Sequence, residues 1–219
     1  MTDINYSILF SAPMIRAILD GRKTQMRPVM PLLLAPGGWK PETIGPGYFN
    51  VGRAGDLVPT QDMVCLCHAA RGTIIPAPWQ VGDRLWVREG WRVSSTHNDL
   101  SPRALPAGVD VEYLVDPGGI LTGRGRSSSY MPRWASRITL EVTAVRVERL
   151  QDISEADARA EGDDDIGPCD HSRQSCADIG CCGPGFKGGF CVRWQAKHGA
   201  ELWDFNPWVA ATTFRMVQL

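Results

Sequence analysis

No stretch of this sequence is apolar for long enough to cross a bilayer, and no cationic segment leads into an apolar run and a small-residue cleavage site at its start. Those absences predict a cytoplasmic protein with no membrane partner. Net charge is nearly absent too: 23 lysines and arginines meet 24 aspartates and glutamates, a formal charge of -1. Such a balance excludes the global basic field that holds proteins on duplex nucleic acid by releasing counterions, so any nucleic-acid contact must be local. Paired Cys-x-x-Cys spacing, internal repeats and a histidine pair suited to ribonuclease chemistry are also missing.

What is present includes seven cysteines. An odd number in a reducing compartment argues against a disulfide framework and leaves thiols or metal ligands. Cys169, Cys176, Cys181 and Cys182, with His171 and Cys191 nearby, offer a tetrahedral zinc set inside a glycine-rich segment that lacks the means to order itself. A zinc there would be structural, with no open catalytic position, and the alternative is free thiols in a surface loop. Cys65-Leu66-Cys67-His68 is a second candidate, whose alternative is a strand with buried thiols.

At 219 residues the chain can bury one sizeable core, and a single domain spanning 1–219, with insertions at about 28–80 and 163–192, is the simplest organisation. Ser11 and Pro13 open a short helix and Gly21 fits its left-handed end; Met14, Ile15, Ile18 and Leu19 make its apolar face. Arg22, Lys23 and Arg27 leave that helix together. Residues 28–78 read as loops with a hairpin, and Gln80 to Asp83 as a turn into a strand on which Leu85 and Val87 face away from Trp86 and Arg88. The segment 94–129 reads as loops around a strand at 109–115, with a mobile basic stretch from Gly118 to Ser129. The longest strand signal, 137–150, slips phase between Ala144 and Val145, which suggests a bulge. Ser154 to Asp157 forms a capping box opening a helix that Gly162 ends, with Glu161 on its last turn; a further helix over 190–202 and a strand over 208–217 close the chain. Strands separated by long irregular insertions, with two short helices, predict an α+β fold built as a small mixed β-barrel.

Charge is segregated along the chain. Between Thr122 and Arg149 lie Arg124, Arg126, Arg133, Arg137, Arg146 and Arg149 against Glu141 and Glu148, whereas Glu155 to Asp165 is acidic. Trp86, Trp91 and Trp134 offer faces on which a base could stack, against the alternative of core packing.

The run Ile18-Leu19-Asp20-Gly21-Arg22-Lys23-Thr24-Gln25, with Gly82-Asp83-Arg84-Leu85-Trp86-Val87-Arg88-Glu89 and Met131-Pro132-Arg133-Trp134-Ala135-Ser136-Arg137, resembles the ASCH family as phages and prophages carry it. That resemblance implies a PUA-like barrel and a cleft for a modified nucleoside or RNA base. Small bacterial members are amidohydrolases that remove the acetyl group of N4-acetylcytidine with a lysine, a threonine and a glutamate. By that match Lys23 is the lysine and Glu161 the glutamate, the threonine position falls on Met26, and Pro28 stands where the family has an arginine. A lysine and a carboxylate can polarise a carbonyl and accept a proton from water, whereas the alternative for this pair is an ordinary ion pair. Thr24, Arg27, Arg88, Glu89 and Trp86 complete the expected substrate-binding set. The expected partner is a nucleoside or RNA. The rival readings are a non-catalytic module that reads RNA or modified DNA through Arg124, Arg126 and Arg133, and a ribonuclease.

Overall fold

The computed structural model describes residues 5–31, 38–45, 49–51, 57–59, 62–68, 70, 73–106, 108–162 and 185–217. In chain order the elements begin with β1 (Asn5–Leu9), α1 (Ala12–Leu19), β2 (Gln25–Met26), β3 (Trp39–Ile44), β4 (Phe49–Val51), β5 (Leu57–Pro59), β6 (Met63–His68) and β7 (Thr73–Pro76). They continue with β8 (Arg84–Arg88), β9 (Trp91–Arg92), β10 (Glu112–Tyr113), β11 (Thr139–Arg149), α2 (Glu155–Ala160), α3 (Phe186–His198), α4 (Ala200–Asp204) and β12 (Trp208–Val217). The fold is thus mixed α and β. Among the described residues the strand pairings form open sheets, and none closes into the barrel that the sequence predicts.

The chain divides into two compact units. The first comprises Met1–Lys23, Asp83–Glu141 and Arg215–Leu219; the second comprises Thr24–Gly82 and Val142–Phe214.

In the first unit β1 runs parallel to β8, and β8 pairs antiparallel with the start of β11, Thr139 to Glu141. The alternation expected of β8 is realised, since Leu85 and Val87 are fully buried while Trp86 and Arg88 are half-buried on the other face. α1 begins after Ser11, whose side chain makes no cap bond, and Gly21 ends it at φ +72°. Its buried residues are Ile15, Ala17 and Ile18, whereas Leu19, expected inside, is exposed. The strand expected at 109–115 shrinks to β10, which pairs with β9. A core of Trp91, Val93, Leu105, Met131 and Ala135 lies beneath these loops.

The stretch from Gly118 to Ser129, expected to be mobile, is pinned at several points. The Glu112 carboxylate accepts from the N–H groups of Ile120 and Leu121 at 2.6 and 2.8 Å. Arg92 donates to the Leu121 carbonyl at 3.3 Å, Arg124 N–H donates to Asn98 Oδ1 at 2.9 Å, and Trp91 and Arg126 exchange backbone bonds at 3.2 and 2.7 Å. Backbone groups in such a loop must find partners, and here they do.

In the second unit β3, β6 and β7 form an antiparallel meander and β4 and β5 a ribbon, more structure than the loops expected at 28–78. β2 pairs with β12, as Met26 opposite Thr212. The capping box forms as expected: Asp157 N–H donates to Ser154 Oγ at 3.1 Å, and Ser154 Oγ donates to the Asp157 carboxylate at 2.8 Å. Phe190, Cys191, Trp194 and Trp203 from α3 and α4 pack with Leu150, Ile153, Ala158 and Val209. The Glu155 carboxylate takes the Phe186 N–H at 2.8 Å at the head of α3, where a helix's free N–H groups favour an anion.

Candidate functional site

The residues expected to form one catalytic and binding cleft fall in both units. Lys23, in the first unit, is only 2 % exposed. Its N–H donates to the Ala17 carbonyl at 2.9 Å, which continues the end of α1, and its ammonium lies 5.8 Å from the centre of the Phe10 ring. Thr24, in the second unit, is tied by its backbone, donating to Ala160 O and accepting from Phe214 N–H, both at 2.9 Å.

Arg27 and Glu161 belong to one buried ionic cluster in the second unit. Arg27 donates from Nη1 to Glu161 Oε1 at 2.9 Å and from Nε to Glu148 Oε1 at 3.2 Å, and its Nη2 lies 3.4 Å from Asp157 Oδ2. Its side chain is wholly buried. Arg146 closes the cluster from the solvent side, bonded to Glu148 at 2.7 Å and to Asp157. Burial by itself would raise the Asp157 carboxyl. Hydrogen bonds from Ser154 and Gln25, with the charges of Arg146 and Arg27, outweigh it and hold that carboxyl below its ordinary range. A guanidinium enclosed by three carboxylates is an arrangement that fixes structure. Met26, beside it in sequence, is buried at 6 % exposure and offers a thioether where the ASCH resemblance implies a hydroxyl.

Glu89 is likewise committed. It is 1 % exposed and takes two hydrogen bonds from Arg137, both at 3.0 Å; Arg137 also grips Asp116 at 2.7 and 2.9 Å and lies 3.9 Å over the Tyr113 ring. Desolvation raises the Glu89 carboxyl above its ordinary value, Arg137 opposes this, and Asp116 adds to it. A carboxyl whose folded pKa is raised costs stability once ionised. The folded state therefore gains on the unfolded one as pH falls through the window between the ordinary glutamate value and the raised one. Comparing thermal unfolding of the protein with that of a Glu89→Gln variant from pH 7 to pH 4 should show the parent gaining on the variant; a parent that loses ground over that range contradicts the assignment.

Trp86 is occupied by cations rather than open, with the guanidiniums of Arg88 and Arg133 at 5.8 and 5.9 Å from its ring. Arg88 also donates to the Ser129 carbonyl at 3.1 Å. Trp91, expected as a stacking face, is fully buried in the core, whereas Trp134 is 47 % exposed.

A concave surface lies where only loops are expected. In the first unit a cavity of about 880 Å³ is lined by Arg103, Arg124, Arg126, Ser127, Ser129 and Tyr130, among others, with no carboxylate among the described lining residues. Arg126 forms its inner wall: it is 7 % exposed, donates to the carbonyls of Leu100 and His97 at 2.9 and 2.7 Å, and lies 5.5 Å from the Trp91 ring centre. Its Nε has no hydrogen-bond partner among the described residues. Burial, and then the neighbouring Arg124 charge, both make protonation of Arg126 less favourable, as expected where cations gather without an anion. Arg103 and Arg124 are exposed, and Tyr130 presents a ring at 71 % exposure. Arg124 and Arg126 were legible as part of a basic segment. Arg103 and Tyr130 were not, because each sits alone in an aperiodic stretch.

Cys169, Cys176, Cys181 and Cys182 lie outside the described residues. Among the described residues no group of three or more histidines, cysteines, aspartates and glutamates is placed to hold a metal. Cys191, expected as a thiol or ligand, is disulfide-bonded, which an odd cysteine total does not prevent. Cys65 and Cys67 lie on β6 with their sulfurs 3.4 Å apart. Burial, reinforced by Cys65, pushes the Cys67 thiol up to about 12, so it is no thiolate at neutral pH.

No helix among the described residues is long and apolar enough to cross a membrane. No family model, curated protein or solved structure matches this chain.

Proposed function

We propose that this protein binds single-stranded nucleic acid, RNA in the first instance, through the arginine-lined cavity of its first unit. The observation that carries the reading is charge. Three guanidiniums line one cavity with no carboxylate among its described lining residues, in a protein whose net charge is only -1. Two other arginines of the same unit are neutralised, Arg137 by Glu89 and Asp116 and Arg215 by Glu141. An anion is the ligand that such a lining favours, and planar guanidinium forks match phosphate oxygens in particular. The exposed Tyr130 ring beside them suits a base, because stacking accepts any base and phosphate contacts carry no sequence information.

The ASCH resemblance supports the same ligand class and extends the reading to a PUA-like fold that accepts a modified nucleoside or RNA base. It does not favour turnover. The hydroxyl implied at position 26 is replaced by a buried thioether, which neither attacks a carbonyl nor relays a proton. Incubation with N4-acetylcytidine, followed by chromatography, should return the substrate intact; deacetylation that is lost in Lys23→Ala and Glu161→Ala would replace the binding reading with an enzymatic one.

Affinity for a short labelled RNA, measured over a series of salt concentrations, tests the binding reading. Each phosphate contact on a single strand contributes about 0.7 to the slope of log affinity against log salt. An Arg103→Ala, Arg124→Ala double variant should lower the magnitude of that slope by about 1.4 if each arginine meets one phosphate. A slope identical to that of the parent removes the cavity from the interface. The RNA should be recovered uncut, and cleavage would favour a ribonuclease instead.

A further inference from the structure

The first unit has a second cavity, of about 630 Å³, with a different chemistry. Its lining includes Leu105, Val109, Val111, Tyr113 and Trp134, and Asp110 is the one acidic side chain among the described lining residues. Both cavities are built from the same two chain segments. Arg103 lines the first and Leu105 the second; Pro132 lines the first and Trp134 the second. Two residues of backbone span about 7 Å at most, which is within the reach of one nucleotide from its phosphate to its base.

Resting on the reading above, we propose that this second cavity is a base subsite that prefers bases bearing an exocyclic amino group. A nucleotide whose phosphate meets Arg103 and Arg124 would then seat its base beside Trp134 and Asp110. Three features support the assignment. The first is the wall. Trp134 stands edge-on to the fully buried Trp91 at 6.3 Å and 87°, so its ring is held against the core while the residue as a whole remains 47 % exposed. Tyr113 donates its hydroxyl to the Ala135 carbonyl at 3.1 Å and lies beneath the Arg137 guanidinium, so it too is fixed. A rigid aromatic wall beside apolar side chains is what a stacked base needs.

The second feature is the sign of the charge. A cationic cavity next to one carrying a carboxylate orients the bound nucleotide: phosphate is drawn to the first and repelled from the second. The third is hydrogen-bonding capacity. A carboxylate only accepts: Asp110 can take an N–H from the amino group of cytosine, adenine or guanine, whereas the one donor on the pairing edge of uracil, N3–H, lies between two carbonyl oxygens that a carboxylate repels.

Labelled hexacytidylate and hexauridylate titrated against the full chain at one moderate salt concentration provide the test. The cytidine oligomer should bind about ten-fold more tightly than the uridine oligomer. Asp110→Ala should erase that difference while leaving the salt slope unchanged. Trp134→Ala should weaken both oligomers by roughly ten-fold or more, and Trp134→Phe should retain most of the affinity because a ring is kept. If both oligomers bind equally, with a salt slope that still falls in the Arg103→Ala, Arg124→Ala variant, the base subsite is refuted and the phosphate site stands. If neither oligomer binds in a salt-dependent way, both are refuted.

Discussion

An Arg27→Met variant is expected to lose about 3–5 kcal/mol of stability, the range for breaking a buried ion pair by removing one partner. For a chain of this length that is a fall in Tm of about 6–20 °C. The expected size follows from what the guanidinium holds. Its side chain has no solvent exposure, and Glu148, Asp157 and Glu161 are at most 19 % exposed around it. Methionine fills similar space but removes the cation that those three carboxylates share, and Arg146 at 42 % exposure reaches only two of them. Adding Glu161→Gln to Arg27→Met should recover part of the loss, since two residues in direct contact are energetically coupled. The acid limb carries a second signature. Asp157 is held below its ordinary pKa, so the stability it contributes is present at neutral pH and is lost as pH falls through the depressed value. Without Arg27 that depression shrinks, and the variant should lose less stability than the parent between pH 7 and pH 3. Thermal unfolding across this pH range checks all three statements, and a loss below about 1 kcal/mol at neutral pH, in the range of exposed pairs, would show that the cluster is not the buried device described here.

Gly123→Ala should be comparably damaging, for a steric reason, and should also reach function. A β-carbon at this position would overlap the backbone carbonyl oxygen of Val93 and crowd the carbonyl carbon of Ser94 at 3.1 Å. Backbone cannot step aside as a side-chain tip can, so the 118–126 loop must lift from Val93, and overpacking of this kind costs about 3 kcal/mol at the upper end of its usual range. That loop carries Arg124 and Arg126 into the cavity, through the Asn98 bond and the backbone exchange with Trp91. The variant should therefore combine a Tm fall of about 6–12 °C with loss of RNA affinity at a temperature where it is still folded. Gly125→Ala is the control. Its new carbon would meet only the Leu114 side chain, at 3.3 Å, and leucine can shift. Equal damage from the two substitutions would mean that the close approach at Val93 is not what seats the loop.

Local signals in the sequence proved readable where a single segment determines its own geometry. Gly21 and Gly162 adopt the left-handed conformations that end α1 and α2, the Ser154 and Asp157 box forms, and Leu85 and Val87 alternate with Trp86 and Arg88 as a half-buried strand requires. Even the phase slip on β11 is visible, as burial passes from Leu140 and Val142 to Val147. Partnerships between distant residues were not readable. Arg27 meets Glu161 across 134 residues and Arg137 meets Glu89 across 48, so nothing near Glu161 or Glu89 reveals that a buried arginine already claims it. The cavity had the same obscurity. Its lining comes from residues 101–103 and 124–132, segments without periodicity, and Arg103 acquires meaning only once the fold brings it to Arg124. The loop from Gly118 to Ser129 looked mobile because its order derives from side chains elsewhere, Glu112 and Arg92 above all.

The proposed function requires RNA to lie across the first unit at residues 101–135, and photo-crosslinking is the most direct test of that placement. A 4-thiouridine-containing oligonucleotide, irradiated with the full chain and digested for mass spectrometry, should attach to peptides containing Tyr130 or Trp134, and the yield should fall in Arg103→Ala, Arg124→Ala. Crosslinks confined to residues 12–27 or 155–162, with none on residues 101–135, would contradict the account and return the site to Lys23 and Glu161.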